Sequence, residues 1–127
     1  MPRKKSSTFT DVELRLMNVL WEIGPSTVGE VQKALPKKDR VAYTTVLTMM
    51  RILEEKGYLD HEQRGRAFVY RPLVERDAAR RKGVSHLVGR LFDGSPAALV
   101  LNVLENEDLT PDELARLREL IERSEER

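Results

Sequence analysis

The stretch Ala42-Tyr-Thr-Thr-Val-Leu-Thr-Met-Met-Arg-Ile-Leu53 combines helical spacing with three threonines, Thr44, Thr45 and Thr48. Threonine is a mediocre helix former because its branched Cβ restricts χ1. At about 100° per residue, Tyr43, Val46, Leu47, Met50 and Leu53 fall on one side of the helix. Thr44, Thr45, Thr48, Arg51, Ile52 and Glu55 fall on the other. The threonines therefore face solvent or a partner, not a core. The predicted helix runs roughly from Ala42 to Lys56, and Gly57 stops it.

Downstream the hydrophobic period changes. Tyr58-Leu-Asp-His-Glu62 and Arg66-Ala-Phe-Val-Tyr-Arg71 read as two short strands, joined by a turn at Gln63-Arg64-Gly65. Two strands alone are marginal, so the hairpin must lean on the helices before it. Upstream, Phe9-Thr10-Asp-Val-Glu13-Leu14 announces a first helix: Thr10 and Glu13 have capping-box spacing, and Phe9 and Leu14 that of a hydrophobic staple. Leu14, Met17, Leu20 and Trp21 mark its apolar face, and Gly24-Pro25 ends it. A second capping box, Thr27 with Glu30, opens a short helix with Val28, Val31 and Leu35 on one face, closed by Pro36.

Two short helices, a third with a polar outer face, and a hairpin carrying arginines near its tip form the order of a winged helix-turn-helix. The expected fold is mainly α with a small β-hairpin, divided into a winged domain over residues 9–72 and a helical region over 73–127. A helix fits the major groove of DNA, and small hydroxyl side chains let it approach closely. Threonine can bond a phosphate or a base edge and pack its methyl on thymine. The candidate contacts are Arg40, Tyr43, Thr44, Thr45, Thr48 and Arg51, with Arg64 and Arg66 in the wing. Tyr43 belongs to this set although its angle places it on the apolar side. Lys37 and Lys38 lie just before the third helix, where a phosphate would pass.

Composition is consistent with this reading. Residues 1–90 hold 18 Lys and Arg against 11 Asp and Glu, a net of +7, whereas residues 91–127 hold 4 against 10, a net of −6. A basic front suits a polyanion, and a solvated helical surface with segregated charge is the bland alternative. Cysteine is absent, which excludes disulfides and thiolate metal sites and fits a reducing cytoplasm. Residues 1–8 are polar and expected to fray; no hydrophobic run follows their basic residues, so no secretory signal is expected. No stretch is long and apolar enough for a membrane span.

Beyond Pro72 the pattern is helical. Residues 73–92 form a charged helix whose apolar residues, Leu87, Val88, Leu91 and Phe92, gather at its end. Ser95-Pro96 caps a helix over 97–104 that is apolar almost all round and expected to be buried. Thr110 and Glu113 give a third capping box, and Leu114, Leu117, Leu120 and Ile121 one stripe. About 55 residues cannot easily bury both surfaces alone. Sharing Leu99, Val100, Val103, Leu104 and the stripe across a two-fold axis is the simplest solution, and folding back onto the winged domain is the alternative.

Thr45-Val-Leu-Thr48, Leu53-Glu-Glu-Lys-Gly-Tyr-Leu59, His61 and Phe68-Val-Tyr-Arg-Pro-Leu73 resemble the penicillinase-repressor family, which includes the BlaI, MecI and CopY regulators. Leu20-Trp-Glu22 and Ala98-Leu-Val-Leu-Asn102 match too, so the resemblance covers roughly residues 9–123. It implies a cytoplasmic homodimeric repressor on a palindromic double-stranded DNA operator. In β-lactam-responsive members an upstream sensor protease triggers cleavage of an Asn-Phe bond in the apolar helix; Asn102 matches this position and Val103 departs from it. The Cys-x-Cys pairs of copper-responsive members are absent, and Ile52 stands where several relatives carry a basic residue. His61 and His86 have no partner at metal-ligand spacing, and Glu54-Glu55 reads as a solvated face. No P-loop, nucleophile elbow or H-E-x-x-H motif occurs, so neither enzyme, metal nor cofactor is expected. A winged helix that docks protein rather than DNA is the competing function.

Overall fold

The structure, a computed structural model, describes residues 9–127; the expectations for residues 1–8 lie outside the described residues. Helix α1 (Asp11–Ile23) opens with the expected capping box, the Thr10 amide donating to the Glu13 carboxylate at 2.7 Å and the Glu13 amide to Thr10 Oγ1 at 3.2 Å. Its buried apolar face is Leu16, Met17, Val19 and Leu20. Leu14, expected on that face, is 41% exposed. The face has rotated because Glu13, not Leu14, turns inward. Its carboxylate is 1% exposed and takes the Lys56 ammonium at 2.6 Å.

Strand β1 (Ser26–Thr27) follows, then α2 (Val28–Ala34), a 3-10 turn (Lys37–Asp39) and α3 (Tyr43–Glu55). The hairpin is β2 (Leu59–Arg64) and β3 (Ala67–Pro72). The sheet is antiparallel in the order β1-β3-β2, with Ser26 opposite Tyr70 and Thr27 opposite Val69. This third strand answers the marginality of a lone hairpin, and two residues are too few to leave a periodic signal. The turn lies one residue later than expected, at Gly65-Arg66, since Arg64 still pairs with Ala67. Gly65 has φ +62° and Arg66 is not left-handed, the pattern of a glycine-first type II′ turn.

One core joins these elements: Leu16, Met17 and Leu20 of α1, Val28 and Val31 of α2, Val46, Met50 and Leu53 of α3, Tyr58 just before β2, and Leu59 and Tyr70 of the sheet. Leu47 packs partly against it. Tyr43, placed by angle on this side, is 49% exposed, because it begins α3 beyond the edge of the core.

Helices α4 (Arg76–Leu91), α5 (Pro96–Asn106) and α6 (Pro111–Glu125) complete the chain. Two compact units result, one ending at His86 and the other beginning at Leu87, so α4 runs across the division. Ser95 and Thr110 cap α5 and α6 as their sequence requires. The expected burial of 97–104 does not occur within one chain: no residue of α5 or α6 is buried, and Leu101 is 57% exposed. A short unit made of helices has too little surface to enclose a helix apolar on all sides. Among the described residues no single helix is long and apolar enough to cross a membrane.

Candidate nucleic-acid interface

Helix α3 buries Val46, Met50 and Leu53 and leaves Thr44, Thr45, Thr48 and Arg51 exposed, as its periodicity requires. Its first turn differs from those of α1, α2 and α6. Each of these has a capping threonine and at least one carboxylate in the first turn. The N-cap of α3 is Ala42, with no side-chain cap and no acidic residue in the first turn. Leading amides without a side-chain acceptor, and without a carboxylate to repel an anion, favour phosphate at this end.

The wing lies beside that helix. Tyr43, Leu47 and Arg51 of α3 and Arg66, Phe68 and Tyr70 of the hairpin line a groove of about 240 Å³. The groove thus joins Tyr43, Arg51 and Arg66, which are far apart in sequence. Burial raises the Tyr70 phenol above its usual range, and the nearby Glu54 carboxylate adds to this; the adjacent Arg51 guanidinium opposes both. Tyr70 is therefore a neutral hydrogen-bonding group at the groove floor.

The candidate cations are not equivalent. Arg66 sits in the turn with no carboxylate partner among the ion pairs of the described residues. Arg64 is paired with Glu62 at 3.3 Å on the opposite face of the hairpin from Phe68. Arg40 donates from Nη2 to the Lys33 and Leu35 carbonyls at 3.0 and 3.1 Å, closing the end of α2. Lys37 and Lys38 are exposed in the 3-10 turn.

Residues outside the candidate set brace this surface. The His61 ring lies 2.7 and 2.8 Å from the two Glu54 oxygens through Nδ1, and stacks on Phe68 with centroids 4.4 Å apart. Glu54 is therefore engaged rather than simply solvated. Lys56, at the end of α3, reaches back to Glu13 of α1. These pairs link residues 7 and 43 positions apart, so no local spacing announces them.

The candidate dimer residues belong to the second unit. Val100 and Leu104 of α5 and Leu117, Leu120 and Ile121 of α6 line an open apolar groove of about 370 Å³. Leu99, Val103 and Leu114 are half-buried. Asn102 is exposed, and its carbonyl accepts from Asn106 Nδ2 at 2.9 Å, so the Asn102–Val103 bond lies inside an intact helix.

A model of the penicillinase repressor family matches residues 9–123. The chain is 37% identical over 120 residues to a penicillinase repressor from Bacillus licheniformis, covering 94% of this chain and 93% of that protein. It is 26% identical over 117 residues to the methicillin resistance regulatory protein MecI of Staphylococcus aureus (strain N315), covering 92% and 95%. Among solved structures, the DNA-binding domain of the repressor BlaI superposes with a TM-score of 0.52 at 36% identity, over 60% of this chain and 93% of that one.

Proposed function

The chain belongs to the penicillinase repressor family, and from that premise we propose how it works as a DNA-binding transcriptional repressor. Residues 9–72 read DNA and residues 73–127 supply dimerisation. A homodimer in the cytoplasm occupies a palindromic double-stranded operator and excludes polymerase. Thr44, Thr45 and Thr48 of α3 face the major groove. Tyr43, Arg51 and Arg66 hold the flanking phosphates, and Arg64, Arg40, Lys37 and Lys38 add positive potential. The observation that carries this reading is the union of an uncapped, threonine-faced helix and an unpaired wing arginine along one groove.

Repression would be lifted through the second unit. An upstream sensor protease attacking Asn102–Val103 would need α5 to open first, because a helical bond does not fit an extended protease cleft. Val103 in place of the relatives' phenylalanine sets a different demand on that protease.

The deciding experiment is fluorescence anisotropy on the duplex immediately upstream of the protein's own gene, with a scrambled duplex as competitor. Tight, competitor-resistant binding at two protomers per site is expected, with the slope of log K against log salt steepening by about 0.9 for each phosphate neutralised. Equal, weak and salt-insensitive binding to both duplexes would favour a protein-docking module instead.

A further inference from the structure

We propose that His61 is a positioning residue of the DNA interface: by clasping Glu54 of α3 and stacking on Phe68 of β3, it sets where Arg66 stands relative to the reading helix. This inference rests on the repressor reading above and adds a residue to it.

The wing is tied to α3 by two side chains, His61 and Tyr70. Its tip is a two-residue turn, and residues 61–68 are exposed throughout. The third strand pairs only at Tyr70 and Val69, at the base. The side chains on the hairpin face toward the groove are His61 and Tyr70 at the base and Gln63 and Phe68 nearer the tip, by the alternation of the strands and the register His61 opposite Tyr70 and Gln63 opposite Phe68. Of these, Tyr70 bonds Arg51 of α3, and His61, opposite Tyr70, bonds Glu54 of the same helix. Both Glu54 oxygens lie within 2.8 Å of its Nδ1. A carboxylate only accepts, so Nδ1 carries the proton and donates. The same ring packs at 4.4 Å on Phe68, two residues from Arg66, and at 5.4 Å on Tyr70. His61 thus ties the reading helix to its own strand and, through Phe68, to the strand that follows the wing cation.

The test is a double-mutant cycle of His61→Ala with Arg66→Ala, read by anisotropy on the upstream duplex. If His61 acts through the wing, His61→Ala weakens binding about tenfold, roughly the effect of one hydrogen bond to a charged group. It also makes the salt slope shallower by about 0.9, one phosphate contact. In the Arg66→Ala background it adds almost nothing. His61→Gln, which keeps a donor for the Glu54 carboxylate, should restore part of the affinity. Glu54→Gln, run through the same cycle, keeps the test decisive if the alanine variant folds poorly. Losses that multiply, or an unchanged slope, overturn the inference while leaving the repressor reading intact. A wild-type chain indifferent to the duplex overturns both.

Discussion

At Thr45 and Thr48 the chain accepts residues that lower helix propensity by up to about 0.7 kcal/mol each relative to alanine. Both are exposed and neither caps its helix. Replacing both with alanine should leave the melting temperature unchanged or slightly raised. Discrimination of operator from scrambled duplex should fall about tenfold, within the range of one lost base-pair contact. Undiminished discrimination in competition anisotropy would remove them from the reading face. Glu13 behaves oppositely, because it acts on folding. Burial pushes its carboxyl up, but the Lys56 ammonium and the Thr10 amide outweigh burial and hold it below its ordinary 4.5. A depressed folded-state value means that its stabilisation is complete above about pH 4.5 and is lost as pH falls through the lower folded value. Glu13→Gln should lose about 2 kcal/mol at neutral pH, the scale of a hydrogen bond to a charged partner. Urea titrations at pH 7 and pH 3 check this: the gap between variant and wild type should narrow at the lower pH.

Among the elements, the wing shows what local sequence can and cannot reveal. Capping boxes at Thr10, Thr27 and Thr110 are legible because each joins residues three apart, and all three form. The periodicity of α3 correctly separates Val46, Met50 and Leu53 from the threonines, since one helix face meets one core. Strand β1 escapes, having only two residues and its partner 44 positions away. The inward turn of Glu13 escapes too, because a carboxylate on a helix normally signals solvent, and only the distant Lys56 changes that. The turn is misplaced by one residue because glycine marks a tight turn without saying which of its positions it occupies. Gly65 supplies the left-handed residue, φ +62°, and a Cβ there would meet nothing within 4 Å. Gly65→Ala therefore tests conformation without steric conflict. It should destabilise the native chain by about 1 kcal/mol, the usual penalty for a left-handed alanine, and weaken operator binding by misplacing Arg66. Chemical denaturation and anisotropy on the same variant measure both effects, and an alanine turn with native affinity would show that the wing tip is dispensable.

For the whole molecule, the question is what covers the second unit. Its groove presents Val100, Leu104, Leu117, Leu120 and Ile121 to solvent in a single chain, and the segment from 91 onward has a net charge of −6. An apolar face on a segment of net negative charge fits poorly on DNA and suits a second copy of itself, with the apolar strips in contact. Pairing would set two reading helices one turn of DNA apart, about 34–36 Å, or a multiple of it, and make the second half-site an intramolecular event. Leu117→Glu should then yield monomers in sedimentation equilibrium and lower full-operator affinity by about 100-fold or more, with half-site affinity unchanged. Charge repulsion between two acidic units would give the same result without any apolar interface. Leu117→Lys separates the two explanations, because it reduces the net negative charge of each unit. If packing holds the dimer, the lysine variant is monomeric too, since either charge would be buried without a partner. If the lysine variant stays dimeric while the glutamate variant separates, electrostatics governs association and the groove is not the contact.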